Sequence, residues 1–299
     1  MSRRHLLMLC LLASLWGASF MFIKVGVREL HPITLVGFRM ALGALTLAPI
    51  VVVRLGARRT ILELRKVAWP LVLTGLINSA IPILSLSWAE TRIDSGLAAV
   101  IQASAPLFTA LLALRFSRSE RVTGSRLGGL VVGFAGVALL VGVQPSGNVL
   151  AALAVAFSAF CYAVAALYTA RRLRDVPPLV TAVGALGAAA LATLPFALFQ
   201  LPGHVPGWKV TGSVLTLGIA GTGIAYILYY ALLAGAGASR SILITYLVPA
   251  IALVYGVLLL GEPLTATAVG GLALVLAGVA LGTGAVRLAR AREAPVVSG

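Results

Sequence analysis

Apolar residues fill this chain in blocks of about twenty, and polar residues are confined to the short gaps between them. A helix rises about 1.5 Å per residue, so about 20 apolar residues cross a hydrocarbon core of about 30 Å. Ten such blocks can be marked, at 6–27, 33–53, 67–88, 95–115, 126–143, 149–170, 178–199, 211–233, 239–260 and 265–286. Breakers separate them: His31-Pro32, the charged stretch from Arg54 to Lys66, Pro145-Ser146-Gly147-Asn148, Pro177-Pro178, Pro202-Gly203 and Glu262-Pro263. The pattern predicts an all-α integral membrane protein of ten transmembrane helices, with no gap wide enough for a soluble domain. Arg3-Arg4 ahead of the first block resembles the start of a signal peptide. That block runs on to about Val27, long enough to span, and is read as a retained first helix.

The blocks also repeat. Moving Gly75 to Gly142 forward by 143 positions lays Gly75 on Gly218 and Pro106 on Pro249. After a one-residue gap, a shift of 142 lays Gly129 on Gly271 and Gly136 on Gly278. This divides one membrane domain into two five-helix repeats, 1–143 and 144–299. Five is odd, so the second repeat enters the membrane inverted, the arrangement that lets one structure open to either side in turn.

Composition fixes the solvent. Of 299 residues, 60% are apolar and 10% charged, and mean hydropathy is +1.06, so a lipid bilayer is the expected surrounding. A net charge of +15 would point to nucleic acid in a soluble protein. Here the basic residues sit in short loops, where they set topology, and no nucleic-acid partner is expected. Of the 23 Lys and Arg, 18 fall on the side that holds both termini, and only Arg28, Arg92 and Lys209 fall on the other. Both termini are therefore expected in the cytoplasm, in a multi-pass protein of the cell inner membrane. The loop charges invert with the repeat. Arg115, Arg118, Arg121 and Arg126 correspond to a loop with no basic residue, whereas Arg28 corresponds to Arg171, Arg172 and Arg174. Cys10 and Cys161 lie singly inside apolar blocks and suggest neither a disulfide nor a metal site.

A pathway through such a protein should show as polar or aromatic residues near mid-span. Trp16 lies in helix one, Asn78 in helix three and Gln102 in helix four. Ser158, Phe160 and Tyr162 lie in helix six, and Thr222 and Tyr226 in helix eight. These eight are the candidate substrate-binding residues. Interhelical bonding is the bland alternative for the amides, because an unpartnered buried amide costs about 1–3 kcal/mol. Tyr229, Tyr230 and Tyr246 read equally well as interfacial anchors. Pro106 and Pro249 each remove a backbone bond near mid-span and serve either as paired flex points or as fixed kinks.

Lys24 and Arg39 are the charges inside spans. Two readings stand for them. In one, Lys24 snorkels to the interface and Arg39 bonds a helix end. In the other, they face each other at the outer mouth and draw a substrate carboxylate outward. Gly129 and Gly133, like Gly278 and Gly282, have the spacing that lets helix backbones touch. They predict close packing within the chain or a homodimer through the glycine-rich helices.

No enzyme constellation is present: no paired carboxylates, no His-rich metal set, no phosphate loop, hence no catalytic residue and no cofactor. The acids Glu29, Glu63, Glu90, Asp94, Glu120, Asp175, Glu262 and Glu293 and the histidines His5, His31 and His204 all fall at span ends or in loops. With no interior Asp, Glu or His to carry a proton, net flux is expected to follow the substrate's own gradient, Lys24 being the one interior group able to lose a proton.

Leu15-Trp16-Gly17-Ala18-Ser19-Phe20, then Phe38-Arg39, then the run from Ser241 ending in Leu259-Leu260-Gly261-Glu262-Pro263-Leu264 resemble the EamA-type members of the drug/metabolite transporter superfamily. The resemblance covers nearly the whole chain and looks most like amino-acid exporters of the YddG kind. It implies a ten-helix carrier exporting amino acids or related small metabolites. It also implies a central cavity lined chiefly by helices one, three, four, six, eight and nine. The family's aromatic in helix one is matched by Trp16 and repeated in helix six at Phe160. Import or exchange of another metabolite class, and proton-coupled export, are the alternatives on the same frame.

Overall fold

The computed structural model describes residues 2–116, 124–142 and 148–282, which form helices joined by short connections and, among them, no strand. Seven helices have the length and hydropathy to cross a membrane. They are α1 (Arg3–Gly26), α2 (Pro32–Leu55), α3 (Ala68–Glu90), α4 (Ser95–Ala113), α6 (Val149–Arg172), α7 (Pro178–Phe199) and α8 (Trp208–Ala236). Three shorter apolar helices complete the frame: α5, which includes Leu127–Gly142, α9 (Ile244–Leu260) and α10 (Ala266–Gly282). Arg118, Glu120 and Arg121 of the fourth loop, residues 145–147, and the tail with Arg287, Arg290, Arg292 and Glu293 lie outside the described residues.

Boundaries follow local chemistry. His31 accepts a bond from the Ile33 N–H with Pro32 in the first turn, and Asn148 accepts from Ala151 N, so α2 and α6 start on side-chain caps. The charged stretch after α2 is itself a helix, Ala57–Lys66, set off by Gly56 at φ 84°. Only glycine adopts that backbone freely, and it turns the chain sharply so that the arginines leave the bilayer.

Alternate helices run in opposite directions, giving two faces. The near face holds the chain start with Arg3, Lys66, Arg172 and Ala236. The far face holds the connections after α1, α3, α7 and α9. Packing obeys the repeat: α2 lies along α7 and α5 along α10, α1 packs on α9 as α6 packs on α4, and α3 packs on α6 as α8 packs on α1. Exchanging the two halves maps α2–α7 and α5–α10 onto themselves and interchanges the members of the other two sets, which is what an inverted repeat requires.

The α5–α10 seam uses the expected glycines. A side chain on Gly278 would strike the Gly133 backbone, one on Gly129 would strike the main chain at Gly282, and one on Gly133 would strike Leu107. These contacts are made within one chain, so the glycine seam is occupied and gives a homodimer no free face at those positions. Leu7, Leu45, Val53, Leu191 and Leu258 point outward. On this surface they meet lipid rather than water.

Two helices carry the same irregularity. α3 widens into a π turn at Leu76–Ala80 and α8 does so at Ile219–Ile224. The offset of 143 that relates the repeats lays Leu76 on Ile219, so the two wide turns are equivalent in the frame.

Candidate functional site

The two π turns place the polar centre. A π turn inserts one residue into the helix, breaks the ordinary hydrogen-bond ladder and is frequent at functional sites. In α8 the strain on the ladder is met by Thr222, whose hydroxyl donates to the Leu217 carbonyl at 2.8 Å. The same oxygen accepts from Arg39 Nε of α2 at 3.1 Å, with Arg39 8% exposed and Thr222 3% exposed. Gly43 lets α2 come this close, since a Cβ there would lie 2.6 Å from the Thr222 methyl. In α3, Asn78 sits inside the π turn and its amide nitrogen donates to the Tyr226 hydroxyl of α8 at 3.4 Å. Tyr162 of α6, Tyr226 and Glu90 are the titratable groups within electrostatic reach of the Arg39 guanidinium. Four helices thus converge, with the cation from the first half and hydroxyls from the second.

Aromatic rings extend this centre toward α1. Tyr226 stacks on Tyr230 at 6.0 Å, Tyr230 meets Tyr229 at 5.3 Å, and Tyr229 meets Trp16 at 5.5 Å between centroids. Trp16 therefore joins the site through a wall of rings, and Tyr229 and Tyr230 belong to that wall. The surplus of tyrosine in Tyr226-Ile227-Leu228-Tyr229-Tyr230 was the available signal, and the interfacial reading obscured it.

Ser158 is buried and Gln102 half-buried, and each has an open polar atom. Neither Gln102 Oε1 nor Ser158 Oγ has a hydrogen-bond partner among the described residues. α4 breaks after Gln102, its two parts being Ser95–Gln102 and Ala105–Phe116. Pro106 cannot supply the N–H that would reach the Gln102 carbonyl four residues back. α9 behaves differently, because Pro249 lies inside the unbroken helix Ile244–Leu260.

Phe160 does not join the centre. It is 38% exposed and packs edge-on against Phe108 at 5.8 Å. Ser158 and Tyr162 are four residues apart and share a face of α6, whereas at about 100° per residue Phe160 lies roughly opposite. Matching it to Trp16 along the repeat finds the right helix and the wrong face.

Lys24 and Arg39 do not face each other at a mouth. Lys24 Nζ donates to the main-chain carbonyls of Glu90 at 2.8 Å and Ile93 at 2.7 Å. It caps the end of α3, where a cation complements the helix dipole. Lys24 bonds a helix end instead of snorkelling, and Arg39 enters the polar centre instead of bonding a helix end. Glu90 ends α3, as its place in the sequence predicts, yet it is 0% exposed and neither carboxyl oxygen has a hydrogen-bond partner among the described residues.

Hydrogen bonds link the two repeats across the far face. Glu262, in the turn after α9, accepts from the N–H groups of Ser95 at 2.8 Å and Gly96 at 2.9 Å, capping α4. Glu29 accepts from Gly207 N at 2.8 Å, and the Thr34 hydroxyl donates to the Gln200 carbonyl at 2.9 Å. Burial, with Glu262 beside it, pushes the Asp94 carboxyl up, against the opposing pull of Lys24. At the near face, by contrast, a hollow of about 390 Å³ opens between the ends of α4 and α6, lined by Leu112, Val164, Leu167, Tyr168, Arg171 and Arg172.

A duplicated, inverted helical frame with a polar centre shared between its halves is the architecture of a membrane carrier. The sequence pattern of the EamA-like transporter family matches residues 3–142 and, a second time, 149–283, and the chain belongs to that family. It is a multi-pass membrane transporter, not an enzyme. An "uncharacterized transporter" of Archaeoglobus fulgidus is 30% identical over 91% of this chain and 96% of its own. A "probable terminal-alkyne amino-acid exporter" of Streptantibioticus cattleyicolor is 30% identical over 89% of each. A "probable amino-acid metabolite efflux pump" of Salmonella typhimurium is 26% identical over 93% of this chain and 94% of its own. A solved crystal structure superposes with a TM-score of 0.65 over 98% of this chain and 100% of that one, and at 22% identity this likeness concerns the fold alone.

Proposed function

We propose that the protein exports amino acids or closely related metabolites across the cell inner membrane by alternating access, with both termini in the cytoplasm. The observation that carries the substrate class is Arg39 at the junction of the halves, bonded to Thr222 of the opposite π turn. A guanidinium ordered by a neutral hydroxyl keeps most of its donors for a carboxylate, which it can bind bidentately. The Asn78 amide and the hydroxyls of Tyr162 and Tyr226 supply neutral partners around it, and the ring wall from Tyr226 to Trp16 suits an apolar side chain. The names of two relatives concern amino-acid export, which agrees with a carboxylate-bearing solute.

Direction rests on the charge split. With the arginine-rich near face in the cytoplasm, the bonded far face is the outer gate, and the hollow between α4 and α6 opens inward. Full-length protein in liposomes, assayed with labelled amino acids and with sugars and nucleosides as controls, tests the substrate class. Saturable amino-acid flux is expected, and saturable sugar or nucleoside flux without it would overturn the reading. Reporters fused after Arg118 and at the C-terminus should both report cytoplasm, and one in the 145–148 loop the outside. Opposite sides for the first two would overturn the orientation.

A further inference from the structure

We propose that the Glu90 carboxyl is a proton-binding site that controls the far-face gate: it holds a proton while that face is closed and releases it to water when the face opens. The proposal stands on burial and geometry. Glu90 is the last residue of α3 and is wholly enclosed, with both oxygens lacking a hydrogen-bond partner among the described residues. A carboxylate in that position would be a buried charge without hydrogen bonds or an ion pair, whereas the neutral acid is tolerated.

Among the described residues no group forms a hydrogen bond or an ion pair of ordinary geometry with the carboxyl. From α1, Lys24 directs its ammonium to the Glu90 and Ile93 carbonyls rather than to the carboxyl, and its main chain faces the carboxyl from the same helix. From α2, Arg39 lies within electrostatic reach, with its Nε bonded to Thr222. From the turn after α9, Glu262 adds a like charge beside Glu90 and Asp94. From α6, the titratable group on the polar side is Tyr162, which faces Arg39. Two cations favour ionisation, whereas enclosure and the single like charge of Glu262 oppose it, and water is the element the closed site lacks. Opening the far face separates α1 from α3, admits water to Glu90 and lets the proton leave.

Linkage sets the sign. A proton bound only in the closed state stabilises closure, so acid on the far side holds the gate shut and alkali releases it. This replaces the expectation that the interior lacks a proton carrier. It concerns the gate itself and requires no particular substrate.

The test uses full-length protein in liposomes, with Cys10 and Cys161 replaced by serine and one cysteine introduced at Leu97. Leu97 is half-buried beside Glu262 at the far face. An impermeant maleimide is applied from outside across a mildly acidic to mildly alkaline range. Its rate is divided by that of a companion protein with Val205→Cys, an exposed position on the same face, which corrects for thiol ionisation. The ratio should rise about fivefold or more with pH when Glu90 is present and stay flat in Glu90→Gln. Lys24→Gln, which removes a favourable cation, should move the midpoint to higher pH, and it serves if Glu90→Gln fails to fold. A flat ratio with Glu90 present, the same rise in Glu90→Gln, or a midpoint unmoved in Lys24→Gln overturns the proposal. Because the readout is accessibility, it is independent of whether amino acids are the substrate.

Discussion

α3 and α8 widen at corresponding positions, Leu76–Ala80 and Ile219–Ile224, by different local means. In α3 the wide turn is followed by Pro82, which has no N–H to close the ordinary ladder. In α8 the corresponding stretch is Gly221-Thr222-Gly223, where the two glycines let α1 and α2 approach and the Thr222 hydroxyl takes up a carbonyl. Different residues give the same geometry. The matched prolines do the reverse: Pro106 follows a break in α4, while Pro249 sits in a continuous α9. The chemistry is likewise divided. Lys24, Arg39 and Glu90 belong to the first half, whereas α6 to α10 carry charge only near their ends and supply hydroxyls to the centre. A symmetric frame thus holds an asymmetric site, and substitutions in matched positions should separate the two.

The frame should fail first. Gly278→Leu drives a side chain into the Gly133 backbone across the α5–α10 seam and Gly133→Leu drives one into Leu107 of α4, each at a cost of about 3 kcal/mol or more. Both should lose most monodisperse protein by size-exclusion chromatography, and Gly270→Leu, with open space at its Cβ, should not. Equal yields would remove the seam from the account of stability.

Next comes the charged half of the site. Arg39→Gln should leave folded protein but lower flux by about 30-fold or more, the scale of a lost charge-assisted pair of about 2 kcal/mol. Thr222→Val should lower it less, because Arg39 remains. A Thr222→Val loss equal to that of Arg39→Gln would make the bond between the halves, not the cation, the important element.

The aromatic pair is a sharper contrast. Trp16→Ala should reduce flux about tenfold by opening the ring wall, and Phe160→Ala less than about twofold. Comparable losses would return Phe160 to the pathway. For the prolines, Pro106→Ala should slow flux about fivefold by restoring the ladder in α4, with a smaller effect for Pro249→Ala. The smallest effect should be Glu262→Gln. It keeps one of the two acceptor oxygens, replaces the other with an amide group that cannot accept, and loses the charge at the α4 N-terminus; at about 1–2 kcal/mol, it should lower the melting temperature by about 2–8 °C.

The hydrophobic blocks and the repeat were legible because both are long-range averages: a bilayer demands about twenty apolar residues wherever the chain crosses, and the inversion follows from an odd helix count. Trp16, Asn78, Thr222 and Tyr226 were legible as polar or aromatic residues where lipid would reject them. Phe160 stands apart from the polar centre, which the sequence did not show because register gives height along a helix but not the face. Glu90 was missed for a related reason. Its position at a span end suggests water, and only the packing of the neighbouring helices excludes it. The π turns were invisible, since neither Pro82 nor the glycines around Thr222 dictate a wide turn without the neighbours that hold it.

The bond from Glu262 to the start of α4 bears on how the chain is made. The amides of Ser95 and Gly96 leave the ribosome well over a hundred residues before the carboxylate that caps them. At about 5–20 residues per second, the interval is on the order of 10–30 s. During that time α4 is in the membrane with an unfinished end, and the first five helices wait as an incomplete assembly. Insertion of the last helices then acts as a closing step for the first ones. A chain cut between the halves should accordingly recover its structure only where both pieces meet in the same bilayer.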